Sequence, residues 1–427
     1  MKIVELCDKS YKDVLNNLLK RDIEDFYEID KNIIAILRNV KDFKDKALYD
    51  YTFKFDGVKI DNIKVTEDEV KEALDTVDNQ FLDILKKAKY NIERFHKRQI
   101  EKSWIEHEKK GIILGQLIRP LDRVGIYVPG GTASYPSSVL MNSIPAMIAG
   151  VKSIAMVTPP DKRGKVNPNI LAAAYIAGID EIYKVGGAQA IGALAYGTET
   201  IKQVQKIVGP GNIYVARAKK EVFGIVDIDM IAGPSEICII ADKNSNPRYI
   251  AADLLSQAEH DQFAFLVLFT NSIDLAESVK KEVIKQLDKL ERKEIAEKSI
   301  GNNGYIFIVD SIDKAIEISN EIAPEHLEIM VDNPFGLISR IKNAGAVFLG
   351  SFTPEPVGDY FAGPNHTLPT SGTAKFSSPL GVYDFVKKTS LIYYTKESLK
   401  EIKDDVIYFS KIEGLTAHGN SIRVRFE

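Results

Sequence analysis

Cysteine is nearly absent from the chain: Cys7 and Cys238 are the two in 427 residues. That excludes a disulfide-stapled secreted scaffold and points to a reducing compartment. Cys238 stands in the apolar run 237–240 and reads as a small core residue rather than a nucleophile. Long hydrophobic runs are missing too. None approaches the roughly 18 residues that a membrane span needs. The opening MKIVELCDKSYKD lacks the cationic-then-apolar order of a signal peptide, so the expected location is the cytoplasm. Neither sign of charge dominates, with 56 basic and 60 acidic residues and a net charge of −4. The balance offers no case for a nucleic-acid or membrane partner.

What is present is ordinary for a globular protein: 45% apolar and 27% charged residues. The length suits roughly three domains, or two large ones with arms. Such a chain buries a sizeable core without disulfide or metal. Residues 1–110 are dense in charge and read as helices with solvated faces. Thr66 and Glu69 form a capping-box pattern that opens a helical stretch toward Trp104. Residues 124–151 carry no charge at all. Short β-rich runs recur at 124–128, 153–157, 181–185, 237–240 and 264–270, then at 305–309, 327–331 and 346–349. Alanine-rich or periodic segments, 312–322 among them, lie between several of these. That alternation predicts an α/β fold with a largely parallel sheet. Residues 350–381 are broken by proline and glycine, and their aromatics (Phe352, Tyr360, Phe361, Phe376) argue for an ordered, functional loop.

Six histidines are available. His96 and His107 fall in the charged helical region and read as solvated. His260 follows a helix that Asn246-Pro247 should start, and it shares a face with Gln257. It could satisfy free carbonyls at the helix end or ligate a metal. Glu325 and His326, adjacent after Pro324, could be an acid/base pair or an exposed turn. Asp359 and His366 frame a glycine-rich stretch, and Glu413 and His418 lie in another. If these loops converge, His260, Asp359 and His418 make a plausible zinc set. On residue type alone Gln257 ranks below Glu259 or Asp261 as a ligand. Three glycine patterns, at 129–131, 186–187 and 209–211, sit between strand-like and helix-like runs. Together they suit a nucleotide-sized ligand, although each alone is more often a tight turn.

Taken together, these segments resemble the histidinol dehydrogenase family. The blocks that carry the resemblance are RVGIYVPGGT at 123–132, VGGAQAIGAL at 185–194, KIVGPGNI at 206–213, AGPSEI at 232–237 and DLLSQAEHD at 253–261. They continue with APEHLEI at 323–329, GDYFAGPNHTLPTSGTAK at 358–375, FSSPLGVY at 376–383 and EGLTAHGNSI at 413–422. The resemblance implies zinc- and NAD-dependent oxidation of L-histidinol to L-histidine. It implies Gln257, His260, Asp359 and His418 as zinc ligands and Glu325 and His326 as the catalytic pair. Ser235, His366 and Glu413 match substrate-contacting positions, together with the ligands and His326. Tyr127, Gln189 and Asn212 match NAD-contacting ones.

The architecture implied is two incomplete Rossmann-like α/β domains with N- and C-terminal arms in an intertwined homodimer, each site completed by the partner's C-terminal arm. The expected division is an arm at 1–22, a first domain from 23–122 and 236–380, a second at 123–235, and an arm at 381–427. Two other readings use the same residues: a paralogue acting on another small alcohol, and a zinc hydrolase without NAD.

Overall fold

The computed structural model describes residues 1–5, 26–130 and 134–427. Strand β1 (Lys2–Glu5) is followed by helices Tyr27–Asp56, Glu67–Thr76 and Asn79–His96. Next come β2 (Trp104–Lys109), β3 (Ile112–Pro120) and β4 (Arg123–Tyr127). Helix Pro136–Ala149 leads to β5 (Ser153–Thr158), helix Pro168–Ala177 to β6 (Glu181–Lys184), and helix Gly187–Tyr196 to β7 (Lys206–Val208). Helix Ile213–Val222 precedes β8 (Asp227–Ile228). The second half runs β9 (Glu236–Ala241), helix Pro247–Ala258, β10 (Phe265–Thr270), helices Ile273–Leu287 and Lys293–Asn303, and β11 (Gly304–Ile308). Helix Ile312–Ile322 then leads to β12 (His326–Met330) and β13 (Ala346–Leu349), and β14 (Val386–Tyr394) precedes the helices Lys396–Ile412 and Thr416–Arg423.

Two parallel sheets result. One is ordered β6-β5-β4-β7-β8, the other β1-β11-β10-β9-β12-β13. Apart from the edge strand β1, each runs from an inner strand (β4 or β9) outward one way, then restarts on the other side. In such sheets ligands bind past the C-terminal strand ends where the winding reverses, here beside β4/β7. Alternate residues of each sheet enter different cores. Val124, Ile126 and Met156 pack with the helices Glu67–Thr76 to Pro168–Ala177, while Ala155 and Val157 pack under Tyr27–Asp56 and Gly187–Tyr196. In the other sheet Ile237, Ile239 and Leu268 face helix Pro247–Ala258, and Cys238, Ile240 and Phe269 face Ile312–Ile322. Both faces are covered, which is why the strands read as apolar runs rather than alternating ones. A third, antiparallel sheet β14-β3-β2 links the chain's last segment to residues 104–120.

Two placements differ from the expected division. Residues 2–5 are an edge strand paired with β11 rather than part of an arm. The rest of that arm, with Cys7, lies outside the described residues. Helices between 27 and 96 bury their apolar stripes (Ile33, Leu37, Val40; Leu85, Ala88, Ile92) against the β4–β8 sheet, not against the β9–β13 sheet. His96 also differs from the solvated reading. It continues the stripe of Leu85, Ala88 and Ile92, is fully buried, and its Nδ1 lies 2.9 Å from the Ile92 carbonyl. His107 is exposed. The Thr66/Glu69 capping box is formed, and Asn246 caps the helix that Pro247 opens. Among the described residues, no helix is long and apolar enough to cross a membrane.

Candidate active site

The chemistry-bearing side chains collect at the N-terminal ends of β9 and β12. Helix Ile312–Ile322 ends at Ala323, which takes the left-handed conformation (φ 52°) rare for a residue with a Cβ. That turn lets Pro324 leave the helix and delivers Glu325 and His326 to the start of β12. Gly345 is needed alongside, since a Cβ there would sit 2.5 Å from the Glu325 carbonyl oxygen.

Glu325 and Glu236 exchange bonds. The Glu236 N–H donates to Glu325 Oε2 at 2.9 Å, and the Glu325 N–H to Glu236 Oε2 at 3.3 Å. The Ser371 N–H donates to Glu236 Oε1 at 2.8 Å, from a second left-handed residue (φ 55°). Burial, and then the Glu236 carboxylate, push the Glu325 carboxyl well above the usual range. His326 Nδ1 lies 2.9 Å from the Glu236 carbonyl, which can only accept, so Nδ1 carries the hydrogen. Nε2 is left as a buried lone pair without a partner, 4.0 Å from Asp359 Oδ1. Burial lowers the His326 pKa, keeping the ring neutral and basic.

Asp359 belongs to a single π-helical turn, Gly358–Ala362, and burial pushes its carboxyl up to about 6. His366 Nδ1 is 3.9 Å from Asp359 Oδ1, and its Nε2 is 3.4 Å from Ser138 Oγ. Burial depresses His366 to about 4. The 350–381 loop is ordered, but not by its aromatics: Phe352 and Phe376 are 88% and 82% exposed. Polar ties hold it instead. Asn365 Nδ2 donates to the Met141 carbonyl at 2.6 Å, and Thr370 Oγ1 accepts from the Gly233 N–H at 2.7 Å.

Helix Pro247–Ala258 supplies Gln257, buried with an unpartnered Oε1. His260 follows in the turn, its N–H on the Gln257 carbonyl at 3.1 Å, close enough to His326 and His366 to bear on their charge. The orphaned, buried Gln257 Oε1, with the His260 imidazole in the turn that follows it, suits a dication held by oxygen and imidazole. His326, Glu355 and Asp359 also offer ligand atoms within 4.8 Å of one another. Glu413 and His418 are exposed at the chain's end, in and beside the terminal helices, and do not join this cluster within one chain. Ser235 directly precedes β9 and its carbonyl accepts from the Phe265 N–H at 2.9 Å.

The second group lies past the C-terminal ends of β4, β6 and β7. Tyr127 ends β4, is buried, and its Oη accepts from the Gly187 N–H at 3.1 Å. Gln189 is buried in the helix that Gly187 opens, with Oε1 unpartnered. Gly209 takes φ 113°, and a Cβ there would fall 2.2 Å from the Tyr127 carbonyl oxygen. Asn212 is exposed and caps helix Ile213–Val222 by accepting from the N–H groups of Tyr214 and Val215. Gly131 and Thr132 fall outside the described residues. The helix N-termini at Gly187 and Ile213, beside the winding reversal, suit a dinucleotide. Ser138, on the helix following β4, is the bridge through His366 to the first group.

Sequence reading gave no role to Glu236, Glu328, Glu355, Asp253 or Ser138. For Glu328 there was a signal: a carboxylate inside the apolar run HLEIM, where every residue is buried. A comparable signal marks Glu236 at the head of EICIIA.

A family profile described as histidinol dehydrogenase matches residues 19–426. A histidinol dehydrogenase of Clostridium acetobutylicum is 57% identical over 411 residues, covering 96% of this chain and 95% of that one. One from Bacillus cereus is 55% identical over 427 residues, covering 99% of each. The crystal structure of histidinol dehydrogenase from Elizabethkingia anophelis superposes with a TM-score of 0.93 at 40% identity, over 100% of this chain and 98% of that one.

Proposed function

The chain belongs to the histidinol dehydrogenase family, and from that premise we propose that it oxidises L-histidinol to L-histidine with one zinc ion per subunit and two NAD⁺, through histidinaldehyde, in the cytoplasm. These are the last steps of histidine biosynthesis. The observation that carries the reading is the His326 ring, anchored at Nδ1, where Glu325 Oε2 lies 3.7 Å away, and presenting an unpartnered Nε2 4.0 Å from Asp359.

Gln257, His260 and Asp359 would hold zinc with His418 of the partner subunit. When bound, zinc anchors the substrate's imidazole and amine, and NAD⁺ accepts the hydride. His326 Nε2 takes the alcohol proton, and later a proton of the hydrated aldehyde. The bond from Nδ1 to the Glu236 carbonyl keeps the ring in the right tautomer and steadies it when it becomes charged. Glu325, whose carboxyl is made more basic by burial and by the Glu236 carboxylate, takes a proton from the water that adds to the aldehyde. His366 stays neutral at physiological pH and, with Ser235 and Glu413, orients the substrate. Tyr127, Gln189 and Asn212 bind the dinucleotide. The aldehyde stays enclosed between the two steps, away from bulk water.

A homodimer completes each site. Support comes from the last helices, which leave Tyr408, Phe409, Ile412 and Leu415 exposed around Glu413. Apolar groups clustered in this way need a partner.

The test is NADH formed per L-histidinol consumed, with and without a chelator. The expected result is two NADH, lost on chelation and restored by zinc. One NADH with free aldehyde would remove the hydration role of Glu325. No NADH from the zinc-replete protein would overturn the substrate assignment.

A further inference from the structure

Three elements meet beneath the candidate metal site, and each brings its residues in two tiers. On helix Pro247–Ala258, Asp253 lies one turn before Gln257. On β12, Glu328 lies two residues after His326 and therefore on the same sheet face. In the short helical segment 355–362, Glu355 lies one turn before Asp359. The upper tier is Gln257, His326 and Asp359. The lower tier is three buried acids, Asp253, Glu328 and Glu355. Their strongest charged neighbours are other acids and histidines, and burial pushes all three carboxyl pKa values upward.

Within this floor Glu355 is the member that touches the upper tier. Its N–H donates to Glu328 Oε1 at 2.8 Å, which fixes its backbone. Ser256 Oγ lies 3.2 Å from its Oε2, which fixes the carboxyl plane. Its carboxyl faces that of Asp359: an oxygen of each lies, with a His326 ring nitrogen, within 4.8 Å of the others. Nothing in the function proposed above uses Glu355.

We propose that Glu355 is a positioning residue: held by Ser256 and Glu328, it hydrogen-bonds Asp359 and fixes the orientation in which Asp359 receives the metal. The inference rests on Asp359 being a ligand. Ligating carboxylates need such outer partners, since a free carboxylate rotates and exposes either oxygen. Two buried carboxyl groups in contact also need a hydrogen between them. An amide at position 355 can supply that hydrogen and a methyl group cannot.

The experiment measures zinc affinity of the full-length protein by competition with a chromophoric chelator. The variants are Glu355→Ala, Glu355→Gln, Ser256→Ala and Asp359→Ala. Glu355→Ala should weaken zinc binding by about 10–100-fold, Glu355→Gln by no more than about threefold, and Ser256→Ala by a few-fold. Unchanged affinity in Glu355→Ala overturns the proposal. So does an equal loss in the Ala and Gln variants, because Glu355 would then serve the metal by its charge. If Glu355→Ala does not fold, Ser256→Ala decides, and wild-type affinity there overturns the proposal. Wild-type affinity in Asp359→Ala would instead remove the ligand reading itself, and the positioning role with it.

Discussion

The β4–β8 sheet and the β9–β13 sheet share one winding plan, yet the residues assigned to function sit at opposite ends of their strands. In the first, Tyr127, Gly187 and Asn212 follow the C-terminal ends. In the second, Glu236 and His326 are the first residues of β9 and β12, the two strands where the winding reverses. The equivalent first residues in the other sheet are Arg123 and Lys206. Both are cations neutralised by acids: Arg123 by Glu181 at 2.7 Å, and Lys206 by Asp227 at 2.9 Å.

The difference is one of electrostatics. C-terminal strand ends lead into helix N-termini, whose free N–H groups favour an anionic dinucleotide. N-terminal strand ends have no such donors to offer. There a sheet is either closed by ion pairs, as at Arg123 and Lys206, or lined with groups that bond one another and exchange protons. The reciprocal Glu236–Glu325 bonds and the His326–Glu236 contact are the second kind. Burial without a cation is what raises the Glu325 carboxyl and lowers the His326 imidazole, favouring the uncharged form of each.

The sharpest way to break the comparison is at His326. His326→Asn should lower turnover by about 10²–10⁴-fold while the protein stays folded. Exchanging subunits with an equally inactive His418→Asn variant should restore part of the activity, since one site of the mixed dimer then has both residues. No recovery after verified exchange would mean that the sites are not shared.

A smaller effect is expected at the equivalent cation. Lys206→Met should leave turnover within about twofold and cost about 1–3 kcal/mol of stability, because Asp227 and Asp384 lose their partner. A turnover loss as deep as that of His326→Asn would erase the distinction between the two strand ends.

The smallest effect is one of pH. The Arg123 guanidinium, bonded to Glu181, holds that carboxyl down at about 2 against an ordinary 4.5. Its contribution is therefore present above pH 4.5 and disappears as the pH falls toward 2. Urea unfolding midpoints of wild type and Glu181→Gln should differ at pH 7 and converge only as the pH approaches about 2. A gap that stays constant would remove the ion pair as its cause.

Several elements were legible before any coordinates. The strand runs are found within a residue or two of their expected limits, and the helix at Asn246-Pro247 begins where its cap places it. The pair Glu325-His326 was visible as adjacent residues after a helix-breaking proline. His96 was misread because a stripe of Leu85, Ala88 and Ile92 is recognised only with the surface it packs on. The lower tier of acids was missed because Asp253, Glu328 and Glu355 come from three separate elements.

Local order along the chain thus determined the strands, the caps, the glycine turns and which residue types could carry the chemistry. These depend on backbone preferences and spacing over a few residues. The pairing of β9 with β12 was decided only in three dimensions, and it sets His326 against Glu236 across 90 positions. So was the stacking of Glu355 under Asp359 and against Glu328. Such contacts form because burying two faces of a sheet leaves few strand orders open. The price of placing acids there is met by the hydrogen bonds they make to one another.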